Sequence, residues 1–290
     1  MPAPLIQNAL GAIIFMMMLS LGAHQSPEDL RRLWRNHALL LRSLLCVVVL
    51  FPLTTILVIK LMPTAAGVSA GLAILAACPG APVTYKRAAL AGGNPAYTSS
   101  LHISLALLTL GITPATLALF DAVFHLNLQN SVGVMAVARQ VAAVQILPIG
   151  IGLLLQKAPG LARRLRQPLS RLADAAFVAL AALMLFPVVL WAVVQLIWPI
   201  GAIALALLAL LVVAGLGLGV LLAPPRQRCR QSSLAIATIA RNLGLALLIA
   251  ESSGSAEQIT PTILGYALVS LVIATPFSIW SKRQAARAAD

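Results

Sequence analysis

The chain has 290 residues, 60% of them hydrophobic and 9% charged, with a mean hydropathy of +0.97 and a formal net charge of +13. This composition lies far to the apolar side of soluble globular domains and leaves no room for a soluble domain. The three cysteines, Cys46, Cys78 and Cys229, are scattered and form neither a disulfide framework nor a metal-ligand cluster.

A membrane-crossing helix needs about 20 apolar residues. Nine segments meet that length in chain order: 5–23, 38–61, 65–93, 96–120, 132–156, 173–197, 200–223, 232–252 and 258–281. The first has no basic region ahead of it and no small-residue cleavage site, so it reads as a span and not as a signal peptide.

Span three is broken. Its apolar run from Ala65 to Ala77 meets Cys78-Pro79-Gly80-Ala81-Pro82 and resumes at Val83-Thr84-Tyr85-Lys86-Arg87. Two prolines and a glycine stop a helix. Inside a bilayer the freed backbone groups are tolerated only against protein or a water-filled cavity, so the break points to a transport site. Span eight carries a weaker break, where Ala240 leads into Arg241-Asn242-Leu243-Gly244. Arg241 lies about nine residues into that span, on the order of 14 Å at helical rise, which is too deep for snorkelling.

The positive charge is segregated. Arg31, Arg32, Arg35 and Arg42 follow span one, and Lys157, Arg163, Arg164, Arg166 and Arg171 follow span five. Arg226, Arg228 and Arg230 follow span seven, and Lys282, Arg283 and Arg287 follow span nine. All of these fall on one side, which places the N-terminus outside and the C-terminus in the cytoplasm. The basic loops therefore belong to a membrane protein, and nucleic acid is not expected as a partner. Spans three and eight then run in opposite directions, as in inverted-repeat transporters. The chain reads as a single membrane domain over 1–290. One half covers about 5–120 (spans one to four), the other about 132–281 (spans five to nine). The broken helices are 65–93 and 232–252. The hydrophilic stretch 157–172, with Pro159, Gly160 and Pro168, reads as a linker loop.

Gly11-Ala12-Ile13-Ile14-Phe15-Met16-Met17-Met18-Leu19-Ser20-Leu21, Cys78-Pro79-Gly80, Asn94 and Arg241-Asn242-Leu243-Gly244-Leu245 together resemble the bile acid:sodium symporter family over residues 9 to 282. The resemblance implies an all-α polytopic membrane protein of nine transmembrane helices. Its inverted-repeat core has two broken crossing helices, packed beside a panel domain. Where sodium-coupled members carry a Ser-Asn pair, this chain has Thr84 and Tyr85. Where they carry Ser and Thr early in the next helix, it has Thr98 and His102. At the family's Glu-x-x-x-Gln-Asn it has Ala237, Arg241 and Asn242. A guanidinium supplies only donors, whereas sodium wants oxygen ligands. The usual sodium sites are therefore expected to be missing, with Thr98, His102, Ala237 and Arg241 marking a coupling or replaced ion site and no metal site assigned.

Lys86, Arg87, Arg139 and Arg241 are embedded cations, while Asp174 and Glu251 lie at span ends. An embedded charge costs roughly 3 kcal/mol on insertion scales and faces a partner or a cavity. The expected partner is the substrate, a small organic anion, with Pro79, Gly80, Pro82, Thr84, Tyr85, Lys86, Arg241 and Asn242 lining its site. Pro82 suits the first turn of the second half-helix, whose N-terminus would face the anion. Arg241 reads first as a site residue, binding the substrate or standing as a built-in substitute for the coupling cation, and second as a cap on the carbonyl end of its own half-helix. His102 suits proton coupling. Arg139, with Gln140 and Gln145, is a cavity candidate.

The reading is a secondary transporter working by alternating access in a plasma membrane of the bacterial inner-membrane kind. Its partners are the anion and the lipid bilayer. It needs no cofactor, sodium is left open, and no oligomeric state is set. The alternatives are a sodium-coupled symporter with altered ion sites, a passive channel, and an intramembrane enzyme built on Cys78 and His102. The last lacks an orienting carboxylate, so no enzyme is expected.

Overall fold

The computed structural model describes residues 3–62, 64–126, 134–185, 194–195 and 198–287. They form helices α1 (Ala3–His24), α2 (Pro27–Arg35), α3 (His37–Leu61), α4 (Ala66–Ala77), α5 (Thr84–Leu90), α6 (Pro95–Phe124), α7 (134–155), α8 (Pro159–Leu185), α9 (Gly201–Leu222), α10 (Arg228–Ile239), α11 (Leu243–Ser252) and α12 (Ala256–Arg287). Five are long and apolar enough to cross a membrane: His37–Leu61, Pro95–Phe124, Met135–Leu155, Gly201–Leu222 and Ala256–Ala285. Gly11–His24, Ala66–Ala77 and Leu243–Ser252 are shorter apolar helices. The protein is thus an all-helical polytopic membrane protein. The span read at 173–197 corresponds to the second part of α8, and its residues 186–193 and 196–197 lie outside the described residues.

Two packing groups emerge. Helix α1 lies along α7 and α8, sealing a small core of Met17, Met18, Leu21, Ile103, Ile149 and Ala173. Glycines permit the close approach. A Cβ on Gly22 would lie 2.2 Å from Ile149 O, and one on Gly152 2.4 Å from Leu19 O. Small residues set such interfaces in membranes, where apolar burial alone gives little drive. The larger group holds α3, α4, α9, α10, α11 and α12 around Phe51, Leu72, Leu75, Leu211, Ile239, Ile249 and Tyr266.

Residues 157–172 do not form a loop. Helix α8 starts at Pro159, where a missing N–H costs nothing, and continues through Pro168. Leu165, Leu169 and Ala173 recur at the i, i+4 spacing, and Leu169 and Ala173 are buried. That apolar face outweighs the single bond lost at Pro168. Helix α2 was also not expected, although its signals are plain. Ser26 caps it by accepting from Glu28 N (3.2 Å), Pro27 opens it, Glu28 and Asp29 fill the first turn, and Arg32 and Arg35 the last. Trp34 Nε1 fastens it to Ser104 Oγ on α6 (2.9 Å).

Both broken helices break where the sequence indicates. Cys78-Pro79-Gly80 follows α4, and Ala240-Arg241-Asn242 follows α10. The two gaps meet antiparallel in an isolated bridge between Pro79 and Arg241. Asn242 N donates to Cys78 O (2.9 Å) and Ala81 N to Ala240 O (3.3 Å). Gly80 takes φ +78°, a conformation open to glycine at no steric cost.

Candidate functional site at the helix crossing

A helix ends with unpaired carbonyls and about half a negative charge. Here the C-terminal ends of α4 and α10 meet, so two such ends must be satisfied at one point, buried in the core. Six carbonyls there have donors from beyond their own helix. At the end of α4, Ala76 O accepts from Arg241 Nη1 (3.4 Å), Ala77 O from Thr113 Oγ1 (2.7 Å) and Cys78 O from Asn242 N. At the end of α10, Thr238 O accepts from Arg241 Nη2 (2.5 Å), Ile239 O from Tyr266 Oη (2.7 Å) and Ala240 O from Ala81 N.

Arg241 is the hub of this set, with 2% of its surface exposed. Besides bonding both helix ends, Nη2 reaches Val47 O on α3 (3.2 Å). That acceptor has a local origin. Residues Leu45–Leu50 form a widened π-turn in which Phe51 N bonds Cys46 O, five residues back. The next donor in that register would be residue 52, a proline with no N–H, which leaves Val47 O free. The guanidinium also lies 3.7 Å from the Phe51 ring centroid, a cation–π distance. Two helix ends of about −0.5 each offset one guanidinium, so its charge is balanced without a carboxylate.

The second halves start differently. Asn242 caps α11 by accepting from Leu245 N (3.1 Å). Pro82 does not open α5. Ala81 O accepts from both Thr84 N (3.0 Å) and Thr84 Oγ1 (2.5 Å), so Pro82-Val83 forms a turn and the helix begins at Thr84. Proline's fixed φ suits that turn position.

A crevice of about 360 Å³ lies between α1 and α8 on one wall and α5 and α6 on the other, with Asp29 of α2 also in its lining. Ser20, His24, Gln25, Tyr85, Lys86 and Ser99 are among its lining residues. It opens on the side of the basic loops, next to α2. Lys86 forms an ion pair with Asp174 of α8, which corrects the expectation that no carboxylate reaches it. The lysine's long stem carries its charge to the span end where Asp174 sits. Tyr85 Oη approaches Ser20 without a fully formed hydrogen bond.

The family model for the Sodium Bile acid symporter family matches residues 12–192, more than half of the chain. The chain belongs to that family. No curated protein matches it as an individual relative. As a member of the Sodium Bile acid symporter family it is a transport protein of a membrane, and its matched region includes the first broken helix.

The positions that the family resemblance marks for sodium ligands can now be placed in this symporter-family chain. Thr98 Oγ1 donates to Asn94 O and contacts Ser233 Oγ, each at 2.8 Å, and Thr84 Oγ1 is bonded to Ala81 O. Ala237 is buried and supplies no oxygen from its side chain. Asn242 Oδ1 is used in its cap. His102 is fully buried, and among the described residues neither ring nitrogen has a partner. No hydrogen bond therefore joins it to Cys78. It sits on α6 between Thr98 and Leu105, whose Cβ faces Gly80.

Pro79, Gly80, Thr84, Arg241 and Asn242 come together at the crossing, while Tyr85 and Lys86 line the crevice instead. Arg139 is exposed on α7, and Gln145 is buried. Sequence reasoning missed Ser20, His24 and Gln25. Polar residues at positions 20 and 24, four apart at the end of an apolar span, were the available signal, since that spacing puts both on one helix face.

Proposed function

We propose that this protein is a secondary carrier of a small organic anion. It works by alternating access in a plasma membrane of the bacterial inner-membrane kind, with Arg241 in place of a coupling sodium. In this reading the nine segments are spans, with the N-terminus outside, and spans three and eight are the inverted pair. The domain 1–290 divides into a mobile core and a panel of α1, α7 and α8. The observation that carries the reading is the placement of the Arg241 guanidinium on carbonyls that end both first half-helices. A coupling cation would have to compete there with a cation the chain already provides. Ala237, at the position of the family carboxylate, supplies no side-chain oxygen, which also argues against the usual sodium site.

The anion belongs in the crevice, not on Arg241, which is 2% exposed and gives three of its N–H groups to carbonyls. Hydroxyls from Ser20, Tyr85 and Ser99 and the His24 imidazole surround Lys86, the nearest cation. The volume is in the range of small-molecule sites. A carboxylate arriving at Lys86 would replace Asp174 with no change in local charge.

Thermal unfolding in a panel of mono- and dicarboxylates tests this placement. At least one carboxylate should stabilise the wild-type protein. Lys86→Met should remove that stabilisation, and Asp174→Asn should lower the concentration needed by roughly tenfold, about 1.4 kcal/mol. An anion that stabilises both variants as it does the wild type would place the site elsewhere.

A further inference from the structure

Helix α5 has a second face, turned away from the crevice. There, a groove of about 550 Å³ lies among α5, α8 and α12. Arg87, Lys282 and Arg283 contribute three cations to it, and among the described residues none of the three is in an ion pair. Among the described residues no carboxylate lines the groove. Phe177, Leu271 and Ile279 supply apolar wall. Arg87 is half-buried and donates once, from Nη2 to Ser270 O (3.0 Å), so most of its N–H groups remain to be used.

The groove has a definite depth in the membrane. Trp280, half exposed, precedes Ser281-Lys282-Arg283, where α12 leaves its apolar stretch. An aromatic followed by basic residues marks a membrane–water boundary. The end of α5 is pinned at that level, since a Cβ on Gly92 would lie 3.1 Å from Lys282 Cα. Lys282 and Arg283 therefore sit at headgroup height, whereas the Arg87 guanidinium, bonded to Ser270 O twelve residues back along α12, lies on the order of 18 Å deeper, at the far end of the apolar wall.

We propose that this groove binds one anionic phospholipid, with its phosphate held by Lys282 and Arg283 and an acyl chain laid against Ile279, Phe177 and Leu271 toward Arg87. Charge complementarity selects the ligand, because a zwitterionic headgroup would bring its own cation against Lys282 and Arg283. A basic pocket between helices on the side of the basic loops is where anionic headgroups are held. Three unpaired cations beside apolar wall would otherwise be left to bulk water and lipid alike. The groove joins α8 of the panel to α5 and α12 of the core, so a lipid bound there bridges the two groups.

The test is native mass spectrometry and thermal unfolding of the full chain in a neutral detergent. Phosphatidylglycerol, phosphatidylcholine and inorganic phosphate are added separately. Phosphatidylglycerol should be retained at one per chain and should stabilise the protein, whereas phosphatidylcholine and phosphate at the same concentration should do neither. Lys282→Gln with Arg283→Gln should weaken phosphatidylglycerol binding at least tenfold. A matched pair in another basic loop, Arg226→Gln with Arg230→Gln, should not. Retention of phosphatidylcholine equal to that of phosphatidylglycerol would overturn the proposal, as would equal weakening by both double variants. Stabilisation by inorganic phosphate that matches the lipid would show a free-anion site instead and also overturn it. Lipid binding is read without transport, so its failure would leave the reading of the crevice untouched.

Discussion

Replacing Arg241 with methionine is expected to destabilise the protein and abolish transport together. The substitution keeps a long apolar stem against Phe51 but strips donors from Ala76 O, Val47 O and Thr238 O, all in the core. A buried polar group left without its partner costs about 1–3 kcal/mol, so three carbonyls put the loss at roughly 3 kcal/mol or more. The two helix ends would also face each other with their partial negative charges unopposed. At roughly 2–4 °C per kcal/mol, the unfolding midpoint should fall by about 6–12 °C. Arg241→Lys should lie between, because an ammonium keeps the charge but cannot fork to several carbonyls. If Arg241 instead existed to grip substrate, Arg241→Met would unfold like the wild type and fail only in ligand binding. Unfolding curves of the purified variants separate the two outcomes.

The second large effect is a gain. Ala237 lies in the last turn of α10, and Arg241 follows four residues on, just past the helix end. Ala237→Glu combined with Arg241→Gln restores the acid and amide of the family pattern and removes the resident cation. The buried carboxylate then needs a counter-charge, because an uncompensated charge in the interior is costly. Sodium should supply it, so the double variant should be stabilised by sodium over potassium while the wild type is not. At a sodium concentration about a hundred times the dissociation constant, linkage gives about 2.7 kcal/mol. A folded double variant with identical unfolding in both salts would mean that Arg241 does not stand at a cation position.

The helices and their breaks were legible in the sequence, because apolar length and Pro-Gly punctuation are local signals. Cys78-Pro79-Gly80 stops α4 whatever surrounds it. The exceptions are the short polar helix α2 and 157–172, where Pro159, Gly160 and Pro168 suggested a loop. A proline at a helix start costs nothing and the face of Leu165, Leu169 and Ala173 carried the helix onward. The partners of the embedded charges were not legible. Arg241 suggested an anion because no acidic residue lay deep in a span, yet its partners are backbone carbonyls, which every sequence contains and none displays. Val47 O became available only through the π-turn before Pro52, a consequence of geometry two elements away. Lys86 found Asp174 88 residues along the chain, a pairing that depends on how α5 and α8 are placed side by side. The family resemblance fixed which positions to compare.

The most direct test of a self-supplied cation is uptake of the stabilising carboxylate into proteoliposomes under an imposed sodium gradient and under a matched potassium gradient. Initial rates should agree within about twofold, with no accumulation driven by sodium. An inward sodium gradient that drives tenfold or greater accumulation would contradict the assignment of Arg241 as the resident cation of the crossing.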